Sequence, residues 1–353
     1  MAWSSLCIFF IFAAAQSQTR PLLTFEQISI EQGLSQSIVF CLLQDQKGFM
    51  WFGTEDGVNK YDGYNFTVMR HEPLDSNSLW YNDVRALCED KEGILWIGTF
   101  YGGLNAYDPA CEKFTHYRHN PNDRNSLSHN NVRAILADGT GALWIGTDGG
   151  LNKFDRTTGR FTRYQHSEDD PTSLSHNIVN VIYEDRTGVL WIGTDGGLNR
   201  LRRSDDGLPP TFQRYRHEPR NPHSLSNDLV TAIHQDHAGV LWIGTRNGLN
   251  KLVQSENSTA PAVFTRYQHE PQNAAGLSHN DVRALFEDAS DSVLWIGTNG
   301  GGLNLLDRRR EKFMHYRNDP LDRTSLSYNE IYAIGADRAG IIWLGTYGGG
   351  INK

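Results

Sequence analysis

The run VRAILADGTGALWIGTDGGLNKFDRTTGRFTRY, residues 132–164, decides the fold. It holds four short apolar phrases: VRAIL, LWIGT, GLNKF and FTRY. Each is rich in β-branched or aromatic residues and is bounded by Gly, Asp or Asn, which reads as a strand. The phrase around Trp144 recurs around Trp51, Trp96, Trp191, Trp242, Trp295 and Trp343, at intervals of 45 to 53 residues. Such a period marks a solenoid, propeller or array. Four strands in each of seven units predict an all-β fold, a seven-bladed β-propeller with four-stranded antiparallel blades.

Along LWIGT, Leu, Ile and Thr share one face of the sheet, and Trp and Gly share the other. The Trp is expected to bury against the adjacent blade. The Gly two residues on, such as Gly98 after Trp96, leaves room for that blade to approach. The turn DKEG at Asp90 to Gly93 joins the first two strands of blade 2, and equivalents begin at Asp45, Asp138, Asp185, Asp236 and Asp337. Blade 6 carries one residue more there, DASDS at Asp288 to Ser292. The seventh unit stops at Lys353 without its FTxY strand, while LTFEQIS at Leu23 to Ser29 opens the repeat region unmatched. Phe25 and Ile28 fit the Phe and Tyr positions, so the N-terminal strand is expected to complete blade 7 and close the ring.

The chain has 353 residues, with 39% hydrophobic and 21% charged residues, an ordinary globular balance. Its 34 Gly suit many tight turns. A net charge of -8 argues against a nucleic-acid partner, which needs clustered Lys and Arg. Residues 1–19 differ from the rest. The run from Leu6 to Ala15 is too short to span a bilayer and has the length of a signal-peptide core, with small residues after it. It is read as a cleaved export signal, although no Lys or Arg precedes it. Residues 20–353 are then one propeller domain with no membrane span, periplasmic or extracellular.

The phrase LWIGT-x-x-GLN, preceded by SLSxNxV and followed by FTxYxH, resembles the two-component regulator propeller repeat. The resemblance covers residues 20–353. It implies the periplasmic sensor region of hybrid histidine kinases and related bacterial signalling proteins. Family members commonly add a second propeller, an immunoglobulin-like domain, a membrane helix and a kinase or cyclase, and none of these follows in this sequence. The resemblance therefore implies a sensor part, in a fragment, a split gene or a stand-alone module.

No GxSxG, HExxH, CxxC or P-loop spacing occurs, so no catalytic set, metal site or cofactor is expected. His71, His119, His166, His217 and His269 share one repeat position, and His129, His176 and His279 another. Such positions lie apart on a ring and read as polar loop residues. Cys41, Cys88 and Cys111, an odd number of mature thiols, argue against a complete disulfide set.

Positions that break the repeat are free to specify a ligand. Two loop sets reach one face: the loop after LWIGT, and the loop before the next inner strand. They bring Trp80, Tyr81, Phe100, Tyr101, Tyr328 and Tyr347, while the inner strands add Phe40 and Tyr332. Ring closure makes blades 7, 1 and 2 neighbours. These aromatics are either ordinary junction residues or a stacking platform for an apolar or sugar-ring ligand. One inner-strand position reads Phe40, Arg85, Arg133, Asn180, Thr231, Arg283 and Tyr332. Its three Arg either pair with Asp at blade junctions or present an anion site. The expected function is non-catalytic sensing of an extracellular glycan or similar small ligand. An interaction scaffold, with a homodimer or a partner signalling protein, and a polysaccharide-active enzyme stand as alternatives.

Overall fold

The computed structural model describes residues 23–203, 209–253, 262–288 and 293–353. The export segment read at 1–19 lies outside the described residues, as does most of the longer blade 6 turn. Seven four-stranded antiparallel sheets follow one another round a ring. Blade 2 is representative: Val84–Glu89 is innermost, then Leu95–Thr99, Gly103–Asp108 and Lys113–Tyr117. Blade 7 is completed by the N-terminal strand. Gln27 pairs with Asn352 and Ile28 with Ile351, placing Ile28 where the other blades have Tyr. The Phe25 amide donates to the Thr324 carbonyl, as Phe161 of blade 3 does to Asn125. The ladder is shorter than the LTFEQIS phrase suggests. Ser29 ends it by capping a single 3-10 turn, Ile30–Gln32.

The alternation along LWIGT sets the packing. In blade 3, Leu143 and Ile145 face back onto Trp96 of blade 2, while Trp144 faces forward onto Leu190 and Ile192 of blade 4. The Gly after each Trp makes that contact close. A Cβ on Gly98 would lie 2.5 Å from Val132 of the next blade, and one on Gly193 2.6 Å from Val230.

Polar groups hold the same repeat. In the six blades whose first turn is described, the Trp indole N–H donates to the turn Asp at 2.6–2.9 Å. The other oxygen of that Asp accepts from the amide four residues on, as in Ala142 N to Asp138 at 2.9 Å. A buried indole N–H thus has its partner, and the Asp ties turn to strand. At the opposite end, a buried Ser bridges Thr and Asn: Ser175 Oγ lies 2.7 Å from Thr194 Oγ1 and accepts from Asn199 at 2.8 Å. The first His set is structural, as its repeat position suggested. Nδ1 of His71, His119, His166, His217 and His269 lies 2.7–2.8 Å from a Leu carbonyl eight residues on.

Candidate functional site

The inner strand of every blade carries a β-bulge. Register shifts between Val39 and Cys41, Val84 and Ala86, Val132 and Ala134, Val179 and Val181, Val230 and Ala232, Val282 and Ala284, and Ile331 and Ala333. The residue between each pair has no ladder partner. These seven residues are Phe40, Arg85, Arg133, Asn180, Thr231, Arg283 and Tyr332. A bulge re-aims its extra side chain. Repeated seven times, it turns those side chains onto the ring axis. Together with Phe100 they line a cavity of about 310 Å³.

The cavity has two unlike arcs. Blades 4 and 5 present short polar groups already in use: Asn180 donates to Asp195 at 2.7 Å and to the Val230 carbonyl at 3.1 Å, and Thr231 donates to the Val282 carbonyl at 2.5 Å. From blade 6 round to blade 3, guanidinium groups and rings interleave. Arg283 lies 5.1 Å from the Tyr332 ring, and Phe40 packs edge-on to Tyr332 at 6.0 Å. Arg85 lies 3.6 Å from the Phe40 ring and 5.3 Å from Phe100, and Arg133 5.9 Å from Phe100. These are cation–π distances.

Every one of the three guanidinium groups also has a carboxylate. Arg85 Nη2 donates to Asp83 at 2.7 Å, Arg283 Nη2 to Asp281 at 2.8 Å, and Arg133 Nε to Asp148. The sequence alternates the source of the charge. Blades 2 and 6 supply Asp two residues before the Arg. Blade 3 has Asn131 there and takes Asp148 from the next loop, where blade 2 has Phe100. Burial pushes the Asp148 pKa up, but hydrogen bonds from Arg133 and Asn131 outweigh it and hold the group below the ordinary carboxylate value. Of the two openings left by the sequence, the structure takes Asp pairing. Burial also raises the Tyr332 phenol above its usual pKa, so it stays neutral.

The other aromatics fall into four places. Tyr347 stacks on Tyr332 at 5.2 Å and meets Phe40 at 6.1 Å, extending the cavity wall outward. Tyr101 packs on Phe100 at 4.4 Å and on Tyr81 at 5.8 Å, forming a rim on blade 2. Tyr328 covers Gly348 on the blade 7 rim. Trp80 is not brought to this group. It occupies the repeat's buried Ser position, and its ring lies 5.4 Å from His116 and 4.7 Å from the Arg118 guanidinium, over the outer strand of blade 2. Tyr101 has φ +75°, where the equivalent loop residues of blades 6 and 7 are Gly300 at +112° and Gly348 at +130°. A Tyr in this left-handed region is strained, and here the strain holds an exposed ring at the cavity rim.

The described Cys residues are free thiols. Burial raises the Cys41 pKa to about 12 and the Cys88 pKa to about 11, so both are inert.

The repeats identify the class. Two component regulator propeller repeats match residues 33–56, 78–101, 126–149, 173–196, 224–247, 276–300 and 325–348. The chain belongs to this propeller family. It is similar to the extracellular domain of the hybrid two-component system BT3049 of B. thetaiotaomicron, at 30% identity and a TM-score of 0.77. That likeness covers 94% of this chain and 41% of the longer BT3049 domain. A 75-residue stretch is 37% identical to histidine kinase P4 of Formosa agariphila, covering 21% of this chain and 6% of the kinase. Virginiamycin B lyase of Staphylococcus aureus shares the fold, with 15% identity, a TM-score of 0.63 and coverage of 94% and 98%.

Proposed function

We propose that this chain is an exported, non-catalytic sensor propeller of a two-component system, which takes an extracellular glycan or similar small ligand in the axial cavity. The family and the likeness to an extracellular two-component domain support the signalling role. The observation that carries the ligand reading is the set of seven bulges, which converts one variable inner-strand position into the lining of a single cavity. At about 310 Å³ it lies at the small end of ligand-sized pockets, which span roughly 300–1,000 Å³. It suits a single ring inserted end-on or one terminal residue of a longer chain. A second reading, a partner-docking face, draws on the exposed rings of Tyr81, Tyr101, Tyr328 and Tyr347 around the rim.

The test is a panel of glycans and small metabolites measured by calorimetry against wild type, Phe40→Ala, Phe100→Ala and Trp80→Ala. Both axial variants should weaken binding at least tenfold, and Trp80→Ala should leave it unchanged. A ligand held equally by both axial variants places the site elsewhere.

A further inference from the structure

The charge around the cavity narrows the ligand class. Four carboxylates are hydrogen-bonded to side chains that line it: Asp83 to Arg85, Asp148 to Arg133, Asp195 to Asn180 and Asp281 to Arg283. The lining itself carries three guanidinium groups, Arg85, Arg133 and Arg283. Four carboxylates therefore meet three guanidinium groups. The three guanidinium groups that line the cavity are each neutralised by contact with one Asp. They are also committed to ring faces. An incoming anion would have to displace an Asp from its Arg while approaching a rim with excess negative charge. An incoming cation would come up against the three guanidinium charges that stand beside the same rings.

We infer that the axial cavity excludes anions and takes an uncharged, ring-bearing polyol, such as a neutral sugar residue. This rests on the ligand site proposed above. Hydroxyl groups suit such a wall because each both donates and accepts, matching carboxylate oxygens and guanidinium N–H groups that stand side by side. Ring faces of Phe40, Phe100 and Tyr332 supply the apolar contact. The Asp residues then act as a charge filter: the same Arg residues without them would form an anion site.

The filter can be tested without the natural ligand. Benzoate, a ring bearing one carboxylate, is titrated calorimetrically into wild type, Asp148→Asn and Asp281→Asn, with thermal melts to confirm folding. Wild type should show no saturable binding. At least one Asn variant should bind benzoate tenfold or more tighter than wild type. That gain should vanish in 1 M salt and when the partner, Arg133 or Arg283, is also changed to Met. Wild type binding benzoate as well as the variants do overturns the inference, and so does a failure of both folded variants to gain it. In the glycan panel, wild type that binds a carboxylated or sulfated glycan in preference to its neutral counterpart also overturns it. A panel without any hit counts against the proposed ligand function, while the benzoate result still decides the charge filter.

Discussion

In blade 4 the loop ahead of the inner strand carries Ser175 and His176, and the next loop is the short Asp195-Gly196-Gly197. In blade 2 the same places hold Trp80 and Tyr81, and the longer Phe100-Tyr101-Gly102-Gly103. The ladders beneath are alike: Val84 pairs with Thr99, Val179 with Thr194, and both inner strands bulge at the next residue. Blade 4 buries a Ser–Thr–Asn cluster. Blade 2 keeps only part of it. The Trp80 amide still donates to Asn105 at 3.1 Å, while His116 rather than a Ser hydroxyl supports that Asn. The strained Tyr101 adds to the local departure from the repeat. Blade 4 shows what stability alone selects in this frame. Blade 2 gives up buried hydrogen bonds at Trp80, whose ring lies over the outer strand, and relaxed backbone at Tyr101, whose ring stands at the cavity rim.

This contrast should appear first in the frame. Trp191→Ala in blade 4 should destabilise by about 3–5 kcal/mol, because it empties a packed site between two sheets. Chemical denaturation with an unchanged melting profile would break the assignment of the in-register Trp residues to structure. Asp185 beneath that Trp gives the frame a pH dependence. Burial raises its pKa, but hydrogen bonds from Thr187, Trp191 and the Val189 amide more than compensate, leaving it below the ordinary value. A lowered folded-state pKa contributes stability that is complete above the unfolded value of about 3.9 and lost as pH falls through the folded value. The melting temperature should therefore drop below about pH 4. Asp185→Asn should lower it at pH 7 and flatten the acid drop. An equally steep drop in the variant would assign the acid sensitivity to other groups.

Smaller effects sharpen the comparison. Ser175→Ala should destabilise by about 1–3 kcal/mol, since it leaves buried Thr194 and Asn199 groups short of a partner. Trp80→Ser, which restores the repeat residue, should change stability by less than about 1 kcal/mol, as one recovered hydrogen bond offsets a half-exposed ring. If the two substitutions had equal effects in urea melts, Trp80 would be part of the frame. Tyr101→Gly should be close to neutral in stability. Relief of about 1–2 kcal/mol of left-handed strain offsets ring contacts of about 0.5–1.5 kcal/mol each. A loss above about 3 kcal/mol would make Tyr101 structural.

Blade number, strand order and ring closure were legible in the sequence, because each rests on a pattern repeated seven times or on a missing unit. The axial position was legible as a column of variable residues. Its geometry was not, since a bulge has no local signature in Val-x-Ala: the extra residue shows only when two strands are paired. The Arg–Asp pairing left a trace that single-position reading passes over. Asp stands before the Arg in blades 2 and 6 and after the second strand in blade 3. Trp80 and Tyr81 adjoin in sequence and so look like one platform, but Trp80 packs on His116 of the outer strand and Tyr81 on Tyr101 at the rim. The Trp–Asp bond was also hidden, because its six-residue spacing spans a turn whose shape the sequence does not display.

The aromatic arc depends most on the closing register, since a ring closed between Ile28 and Ile351 makes blades 7, 1 and 2 neighbours. Glu26 and Lys353 exchange both backbone hydrogen bonds, at 2.9 and 3.0 Å. Such a pair sits about 5.5 Å apart between Cα atoms, within disulfide reach. The measurement is mass spectrometry, under non-reducing conditions, of a Glu26→Cys/Lys353→Cys protein in a Cys111→Ser background after mild oxidation. The account predicts one intramolecular disulfide between the two introduced thiols in the folded monomer. Thiols that stay free, or that pair only between molecules, would contradict the closure and the site built on it.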